Sequence, residues 1–222
     1  MKDNRTSSEL IVIDPVIQKK RYGYRLVKRL FDFIASFVAL IFLSPIFWVV
    51  AAAIKIEDPK GQVFYSQVRL GKNEKPFKMY KFRSMVSNAD KLLNALRQKN
   101  DIDGAMFKMK DDPRITKVGH VLRKYSIDEL PQLFNVLTGN MSLVGPRPPL
   151  PREVENYTEY DKQRLLVKPG CTGLWQATLR NSVGFDEMVQ LDLTYIQKRN
   201  VAFDIGIILK TIVIIIKPND AY

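Results

Sequence analysis

The fold is decided by one apolar stretch of the chain, Phe33-Ile-Ala-Ser-Phe-Val-Ala-Leu-Ile-Phe-Leu-Ser-Pro-Ile-Phe-Trp-Val-Val-Ala-Ala-Ala-Ile54. At about 1.5 Å per residue, a straight helix of this length reaches across the roughly 30 Å hydrocarbon layer of a membrane. Ser44-Pro45 divides the stretch into halves that are each too short to span, and proline interrupts the helical hydrogen-bond ladder there. We therefore expect a helix-break-helix.

Basic residues flank this stretch on both sides. They precede it at Lys19, Lys20, Arg21, Arg25, Lys28 and Arg29 and follow it at Lys55, Lys60, Arg69, Lys72 and Lys75. Because positive residues stay on the cytoplasmic side, both flanks are expected there. This predicts a re-entrant membrane helix over residues 31–54 that enters one leaflet, bends at Ser44-Pro45 and returns. A single span with a tolerated proline kink is the alternative.

The regions on either side are assigned from charge and hydropathy. Residues 1–30 are predicted to form a cytoplasmic basic segment with an interfacial helix, because their basic residues recur at helical spacing. A solvated basic helix has the same pattern. Residues 55–222 are expected to form a cytoplasmic domain that ends in interfacial helices. Ile205 to Ile216 is apolar but too short to span with Lys210 inside it, and a core helix is the alternative there.

Composition narrows the possible chemistry. The 222 residues carry a formal charge of +12, with 35 Lys and Arg against 23 Asp and Glu. This excess indicates a polyanionic partner, such as nucleic acid, an anionic membrane surface or nucleotide phosphates. The single cysteine, Cys171, excludes an internal disulfide and a multi-cysteine metal site. With His120 as the only histidine, His-based metal clusters and Ser-His-Asp chemistry are not expected. Catalysis would have to rest on carboxylates, Lys, Arg, Ser, Thr or Tyr.

Two adjacent carboxylates are the strongest candidates. Asp128 and Glu129 lie in Leu122-Arg-Lys-Tyr-Ser-Ile-Asp-Glu-Leu-Pro-Gln-Leu-Phe-Asn-Val-Leu137, where basic residues just before them complete a cluster able to hold a metal and attack phosphorus. The same residues fit a capping box starting at Ser126. Pro131 favours a cap near Asp128 instead, because proline is harmless only within the first helical turn. The functional and the capping interpretations both stay open.

Further basic residues are placed by turn and strand signals. Val63 to Val68 and Phe77 to Met85 read as a strand pair joined through Gly71-Lys-Asn73, and a helix is predicted from Ser87 to Lys99. Strand alternation puts Lys81 and Arg83 on one side of the second strand, where both could reach one phosphate. A solvated strand face is the alternative interpretation. Prolines stiffen the backbone around Arg147, which aims its guanidinium at little ordering cost. A rigid surface loop or a polyproline ligand is the alternative there. Asp111-Asp112 is assigned to an Asp-Pro turn rather than to a metal site.

Several motifs together resemble a known family, the bacterial sugar transferases or monotopic phosphoglycosyl transferases. They appear in the family's order from about Lys28 to the C-terminus and comprise Lys81-Phe-Arg-Ser-Met85, Asp112-Pro-Arg-Ile-Thr116, Leu122-Arg123, Ser126-Ile-Asp-Glu-Leu-Pro-Gln-Leu-Phe-Asn-Val-Leu137, Ser142-Leu-Val-Gly-Pro-Arg-Pro148 and Pro169-Gly-Cys-Thr-Gly-Leu-Trp-Gln176. Ser44-Pro45 matches the helix-breaking pair of the family's re-entrant helix. The chain resembles the family's catalytic unit alone, without the transmembrane bundle that precedes it in longer relatives.

This resemblance implies an α+β fold in which residues 55–222 form the catalytic domain on the cytoplasmic face of a bacterial membrane. It implies transfer of a sugar 1-phosphate from a UDP-sugar to undecaprenyl phosphate with release of UMP, the first membrane step of exopolysaccharide, capsule or glycoconjugate assembly. By position, Asp128 is the nucleophile of a covalent phosphosugar intermediate, and Glu129 helps to bind Mg²⁺, which Mn²⁺ can replace. The expected phosphate-binding residues are Arg123, Arg147, Lys81 and Arg83.

One departure limits what the resemblance implies. Many relatives continue Trp-Gln-Val-Ser-Gly-Arg where this chain has Trp175-Gln-Ala-Thr-Leu-Arg180, so no sugar preference is transferred. A non-catalytic basic module that recruits partners to anionic lipids is the alternative function, although it leaves Asp128 and Glu129 without a role. Nucleic acid is not expected as a partner, because no helix-turn-helix or aromatic RNA-reading motif is present.

Overall fold

A computed structural model describes residues 11–89, 91–92, 112–179 and 184–216. The predicted helix from Ser87 to Lys99 falls largely outside these residues, and so do Asp111 and Arg180. In chain order the elements are α1 (Pro15–Lys20), α2 (Tyr22–Glu57), β1 (Phe64–Leu70), β2 (Pro76–Phe82), α3 (Lys117–Lys124), α4 (Gln132–Leu137), β3 (Ser142–Val144), α5 (Pro151–Val154), α6 (Glu159–Lys162), β4 (Gly170–Thr172), α7 (Phe185–Lys198) and α8 (Val201–Ile216). Helices combined with two small two-stranded sheets confirm the predicted α+β class.

The helix α2 is 36 residues long and stays helical through Pro45, so the predicted interruption of helical structure at Ser44-Pro45 is wrong. The predicted re-entrant path of this helix stays a prediction. Pro45 lies inside α2 and has no N–H to donate to the carbonyl of Ile41. Ser44 Oγ donates to that carbonyl instead, at 2.7 Å. The serine hydroxyl thus replaces the missing donor, and helical structure continues through the pair. Since α2 already begins at Tyr22, part of the basic segment and the apolar stretch form one element.

Most of the apolar surface of α2 faces away from the protein. Among the described residues, α2 is the one helix long and apolar enough to cross a membrane, and 11% of its most apolar window is buried. Phe42 and Trp48 are nearly fully exposed. Contiguous apolar surface of this kind marks an interaction site. Its extent is compatible with membrane association.

Both halves of α2 nevertheless contact the same folded body. Toward its beginning, Arg29 donates to the carbonyls of Val136 and Leu137 at the end of α4, at 2.6 and 2.7 Å. Toward its end, Phe47 packs edge-on against Phe134 of the same α4, with ring centroids 6.2 Å apart. Residues on both sides of Ser44-Pro45 are therefore held by one short helix of the domain.

The first sheet is the predicted hairpin. β1 and β2 pair antiparallel, with Tyr65 opposite Lys81 and Arg69 opposite Phe77. The connection at Lys72–Glu74 includes two residues with positive φ, which permits the tight reversal. The predicted strand pair and its connection are confirmed, with strands that begin or end one to three residues from the expected limits. This register places Tyr65, Arg69 and Lys81 on one face of the hairpin.

The second sheet brings two distant motifs together. β3 and β4 pair in parallel, with Ser142 opposite Gly170 and Val144 opposite Thr172. A Cβ atom on Gly170 would lie 2.0 Å from the backbone nitrogen of Gly145, so only glycine permits this approach. The proline loop that carries Arg147 is thereby fixed beside the Gly-rich segment. The core behind this sheet comes mainly from α7, where Val189, Leu193 and Ile196 are fully buried.

Candidate active site

The acidic pair lies in a tight turn between α3 and α4. A 3-10 turn over Ile127–Glu129 contains both carboxylates and follows Ser126, whose φ of 54° is left-handed. This conformation costs a non-glycine residue about 1–2 kcal/mol. Such strain concentrates at active sites, where the surrounding structure holds it in place. The turn therefore presents Asp128 in a fixed direction.

Neither of the two predicted helix caps is formed. α4 begins at Gln132, with Pro131 at its N-cap position, and no side chain caps it. Ser126 likewise makes no capping hydrogen bond. The register differs because the 3-10 turn takes up residues 127–129, and the proline after it stands where an N–H needs no helical partner. Asp128 and Glu129 therefore precede the helix instead of lying in its first turn.

The two carboxylates have opposite electrostatic environments. Burial raises the pKa of Asp128 to about 6, against the opposing effect of Lys81. Burial acts in the same direction on Glu129, but Lys81 and Arg147 outweigh it and lower the pKa of Glu129. Lys81 Nζ lies 2.6 Å from Glu129 Oε1 and 4.0 Å from Asp128 Oδ2. Glu129 is thus the permanent anion of the pair, and Asp128 is the more basic and more nucleophilic one.

A small open cleft lies beside the pair. Glu129, Lys81, Arg69 and Arg147 all line it. Arg69 is buried and donates to the Pro148 carbonyl at 3.0 Å, which ties it to the proline loop. Burial and the nearby Arg147 lower the pKa of Arg69 to about 10, so it remains charged at neutral pH. Two guanidinium groups and one ammonium around a small cleft form a receptor for a phosphorylated anion.

Arg147 differs from Arg69 in having an uncommitted guanidinium. Among the described residues it donates no hydrogen bond to a protein group. Pro146 and Pro148 on either side restrict its backbone. A preorganised arginine with free donors suits two-pronged binding of a phosphate.

The predicted site residues divide into two places. Lys81, Glu129 and Arg147 line the cleft, and Asp128 lies beside it, 4.0 Å from Lys81. Arg123 lies close enough to lower the pKa of Asp128, and its Nε donates to Ser84 Oγ at 3.0 Å.

Arg83 is not brought to this cluster. Its guanidinium donates to Asp58 at 2.5 Å and to Ser87 at 2.7 Å, at the end of α2. Arg83 follows the last residue of β2 and reaches the end of α2, so Lys81 and Arg83 pair with different carboxylates. Ser44 and Pro45 lie in the exposed part of α2.

Comparison with known proteins assigns the chain. A protein-family model described as bacterial sugar transferase matches residues 23–218. The chain belongs to the bacterial sugar transferase family. Its relatives include the galactosyl transferase CpsE of Streptococcus agalactiae and the undecaprenyl-phosphate galactose phosphotransferase of Salmonella typhimurium, each 43% identical over 202 residues. The exopolysaccharide production protein ExoY of Sinorhizobium fredii is 41% identical over 199 residues.

These relatives differ in length. The matched part covers 90% and 89% of this transferase but 44% and 42% of the first two proteins, so the chain spans less than half of them. For ExoY the match covers 88% of both chains.

Three cleft residues of the transferase escape prediction from its sequence. Arg69, Gln132 and Gln176 line the cleft beside the predicted residues. Strand alternation combined with the hairpin register is the signal for Arg69, since it shares a face with Lys81. No comparable signal marks Gln132 or Gln176, because their positions depend on the parallel pairing of β3 with β4 and on the start of α4.

The donor set of the transferase fits a metal held jointly with substrate. The described residues contain no group of three or more His, Cys, Asp or Glu side chains able to cage a cation. Mg²⁺ usually binds through one or two protein carboxylates together with substrate phosphates and water. Glu129, with one oxygen paired to Lys81 and the other outside that pair, meets this requirement.

Proposed function

We propose that this bacterial sugar transferase moves a sugar 1-phosphate from a UDP-sugar to undecaprenyl phosphate, releasing UMP. The product, an undecaprenyl-diphosphate-sugar, would begin exopolysaccharide, capsule or glycoconjugate assembly. The observation that carries this proposal is the pairing of a buried, basic Asp128 with a cleft lined by Arg69, Arg147 and Lys81. Relatives named for undecaprenyl-phosphate sugar transfer support the substrate class.

In the proposed first step, the Asp128 carboxylate attacks the phosphorus that bears the sugar. A carboxylate-phosphorus bond forms, the bridging oxygen-phosphorus bond breaks, and UMP leaves with the bond electrons. Attack by one anion on another requires that charge be neutralised in the transition state. Lys81, 4.0 Å from Asp128, and the uncommitted Arg147 are placed to do so.

In the proposed second step, a phosphate oxygen of undecaprenyl phosphate attacks the same phosphorus and displaces the Asp128 carboxylate. The nucleophile is thereby regenerated and no water takes part. Two successive displacements of this kind predict ping-pong kinetics. Glu129 stays ionised throughout because Lys81 and Arg147 lower its pKa.

Glu129 is also the proposed ligand of Mg²⁺, with Mn²⁺ as the substitute. When bound with the diphosphate, the cation would supply charge neutralisation at the transferring phosphate. Glu129 would provide one carboxylate oxygen, and Lys81 would hold its other oxygen in place, as it does at 2.6 Å.

The proposed location is the cytoplasmic face of a bacterial membrane, with α2 entering and leaving by that face. Contact of both its halves with α4 supports this arrangement, since a spanning helix would draw the polar residues of α4 into lipid. Cysteines placed near Lys19 and Lys60, in a Cys171→Ser background, should both resist a membrane-impermeant thiol reagent in intact cells. Labelling of the Lys19 position alone would establish a single crossing.

A UMP-release assay tests the chemistry directly. Purified protein, undecaprenyl phosphate and Mg²⁺ are combined with a panel of UDP-sugars, and UMP is measured. We expect release with at least one UDP-sugar, loss with chelator, and trapping of labelled sugar phosphate on the protein when the acceptor is omitted. Trapping should vanish in Asp128→Asn. Absence of release across the panel would favour the non-catalytic recruitment module instead.

A further inference from the structure

A second group of cations lies outside the cleft, where the first half of α2 meets the domain. Arg29 Nη2 and Lys168 Nζ lie 3.3 and 3.4 Å from the point that a Cβ atom on Gly139 would occupy. Their nitrogens are thus within about 7 Å of each other. With charge-assisted bonds of about 2.8 Å, that spacing allows both to reach oxygens of one phosphate group.

Lys168 is not paired with an acid in the part of the chain that the structure describes. Its side chain is exposed, and among the described residues no hydrogen bond or ion pair engages its ammonium. Desolvation, followed by the neighbouring cations Arg29, Lys72 and Arg25, lowers its pKa. The Asp32 carboxylate opposes this shift. That carboxylate already accepts from the backbone N–H of Leu143 and lies 4.0 Å from Lys28.

Arg29 is anchored and still retains donors. Its Nη1 and Nη2 each donate one hydrogen to a carbonyl at the end of α4. Each of these nitrogens carries a second hydrogen, since a guanidinium has five N–H donors. Gly139, at φ 83°, leaves the space in front of them open.

The surroundings of this pair indicate a lipid. Leu30 and Phe33 follow Arg29 on α2 and are 58% and 47% exposed. The Arg29 guanidinium lies 5.8 Å from the centre of the Phe33 ring, so charge and apolar surface adjoin. A phosphate bound at Arg29 would therefore have its acyl or prenyl chains beside the exposed apolar surface of α2.

We propose that Arg29, Lys168 and the open backbone at Gly139 form a binding site for the phosphate group of a membrane lipid. Nearby Lys72 and Arg25 add positive potential. A bound phosphate offsets the repulsion within this cluster and fixes the rotational setting of α2 against α4. The source of the phosphate is an anionic phospholipid or the polyprenyl phosphate itself.

The test measures lipid binding and needs no turnover. The full chain in neutral detergent is titrated with short-chain phosphatidylglycerol, and with short-chain phosphatidylcholine as the zwitterionic comparison. Affinity is read from the rise in Tm with lipid concentration, and the number of lipids bound is read by native mass spectrometry. Lys168→Gln should bind phosphatidylglycerol about fivefold more weakly, the effect of one surface cation on an anionic lipid.

The matched control is Lys60→Gln, which removes the same charge from the other flank of the apolar stretch, where Lys60 is exposed. It should leave the affinity unchanged, and Lys168→Arg should restore most of it. Equal losses in the two glutamine variants, or no loss in Lys168→Gln, would overturn the site in favour of a diffuse basic surface. Binding of inorganic phosphate without lipid would overturn its assignment to lipid.

Competition distinguishes the sources. If undecaprenyl phosphate displaces phosphatidylglycerol from the wild type, the polyprenyl lipid is a ligand of this site. In Lys168→Gln, the phosphatidylglycerol that still binds should not be displaced. Displacement by other anionic phospholipids alone identifies the bulk membrane. Because every arm reads binding, an absence of UMP release in the enzymatic assay leaves this result intact.

Discussion

Two of the chain's pairs of adjacent carboxylates lie in very different settings, Glu57-Asp58 at the end of α2 and Asp128-Glu129 beside the cleft. Glu57 accepts hydrogen bonds from the backbone N–H groups of Lys117 and Val118, at 2.7 and 3.1 Å. Desolvation raises the pKa of Glu57, but a hydrogen bond from the Thr116 side chain and these two backbone bonds outweigh it and lower the pKa.

Asp58 is equally well supplied with donors. Arg83 and Ser87 donate to one of its oxygens, and the N–H of Gly61 donates to the other at 3.0 Å. The hydrogen bond from Arg83 is the main reason that the pKa of Asp58 is lowered to about 2. Asp128 is the opposite case, because burial without comparable donors raises its pKa. Two adjacent acids in a sequence therefore indicate a catalytic site only where the fold leaves one of them buried with few hydrogen-bond donors.

Asp128→Asn should produce the largest difference between the two pairs. Removing the nucleophile should lower UMP release by at least about a thousandfold, since no other described group is placed to replace it. Asp58→Asn, which alters a structural carboxylate, should keep most of the activity. Initial rates of UMP release at saturating UDP-sugar measure both. Comparable losses in the two variants would show that the cleft pair has no special role.

Arg147→Lys should have the next largest effect. The variant keeps the positive charge but loses the planar fork that binds two phosphate oxygens, so turnover should fall roughly tenfold. Arg152→Lys, an exposed position just after the same proline loop, is the control and should be neutral. If Arg147→Lys changes protein yield and leaves the turnover of the folded fraction intact, the arginine is structural.

Acidification should separate the pairs by their pKa values. The reacting form of Asp128 is the carboxylate, so activity should fall as the pH drops through about 6. At pH 5 it should be about tenfold below its plateau. Asp58, with its pKa lowered to about 2, stays ionised over the whole range. Rates between pH 5 and 8, with circular dichroism to confirm the fold, provide the measurement. A flat profile would contradict the raised pKa.

The smallest effects concern stability, and they should have opposite signs. Between pH 3.8 and about 6 folded Asp128 keeps a proton that the unfolded chain has released, so stability falls as pH rises and remains lower above 6. Asp128→Asn removes this penalty and should stabilise the protein by about 1–3 kcal/mol at pH 8, with no gain at pH 3. Glu57→Ala removes the acceptors of two N–H groups at the start of α3 and should lower the free energy of unfolding of the protein by about 1 kcal/mol. Thermal unfolding of both variants would falsify the contrast if the two shifts in Tm had the same sign.

The hairpin and the acidic pair were predictable because local patterns determine them. Alternation and a turn signal located the strands around Lys81, and two neighbouring carboxylates marked Asp128 before any contact was known. The register at Ser126 was predicted wrongly, because Ser126 takes a left-handed backbone before the 3-10 turn and no local sequence preference marks a serine for that conformation. Arg83 was misplaced for a related reason. Its partner Asp58 lies 25 residues away, across the end of α2, and sequence spacing carries no record of that contact.

The rule that proline breaks a helix likewise failed to predict that α2 is helical through Pro45. A serine one position earlier supplies the donor that proline lacks, and this depends on its side-chain rotamer. The lining of the cleft by Gln132 and Gln176 was not predictable at all, since it requires the parallel pairing of two short strands.

The two hydrogen bonds from the start of α3 to Glu57 connect the end of α2 to the start of α3. We place α2 in the membrane, and α3 ends at Lys124, four residues before Asp128. These contacts would fix the distance of Asp128 from the membrane surface. Such a transferase would select its acceptor by the depth of the acceptor's phosphate in the membrane. A soluble phosphate of the same chemical type would not be held at that depth and would be a poor acceptor.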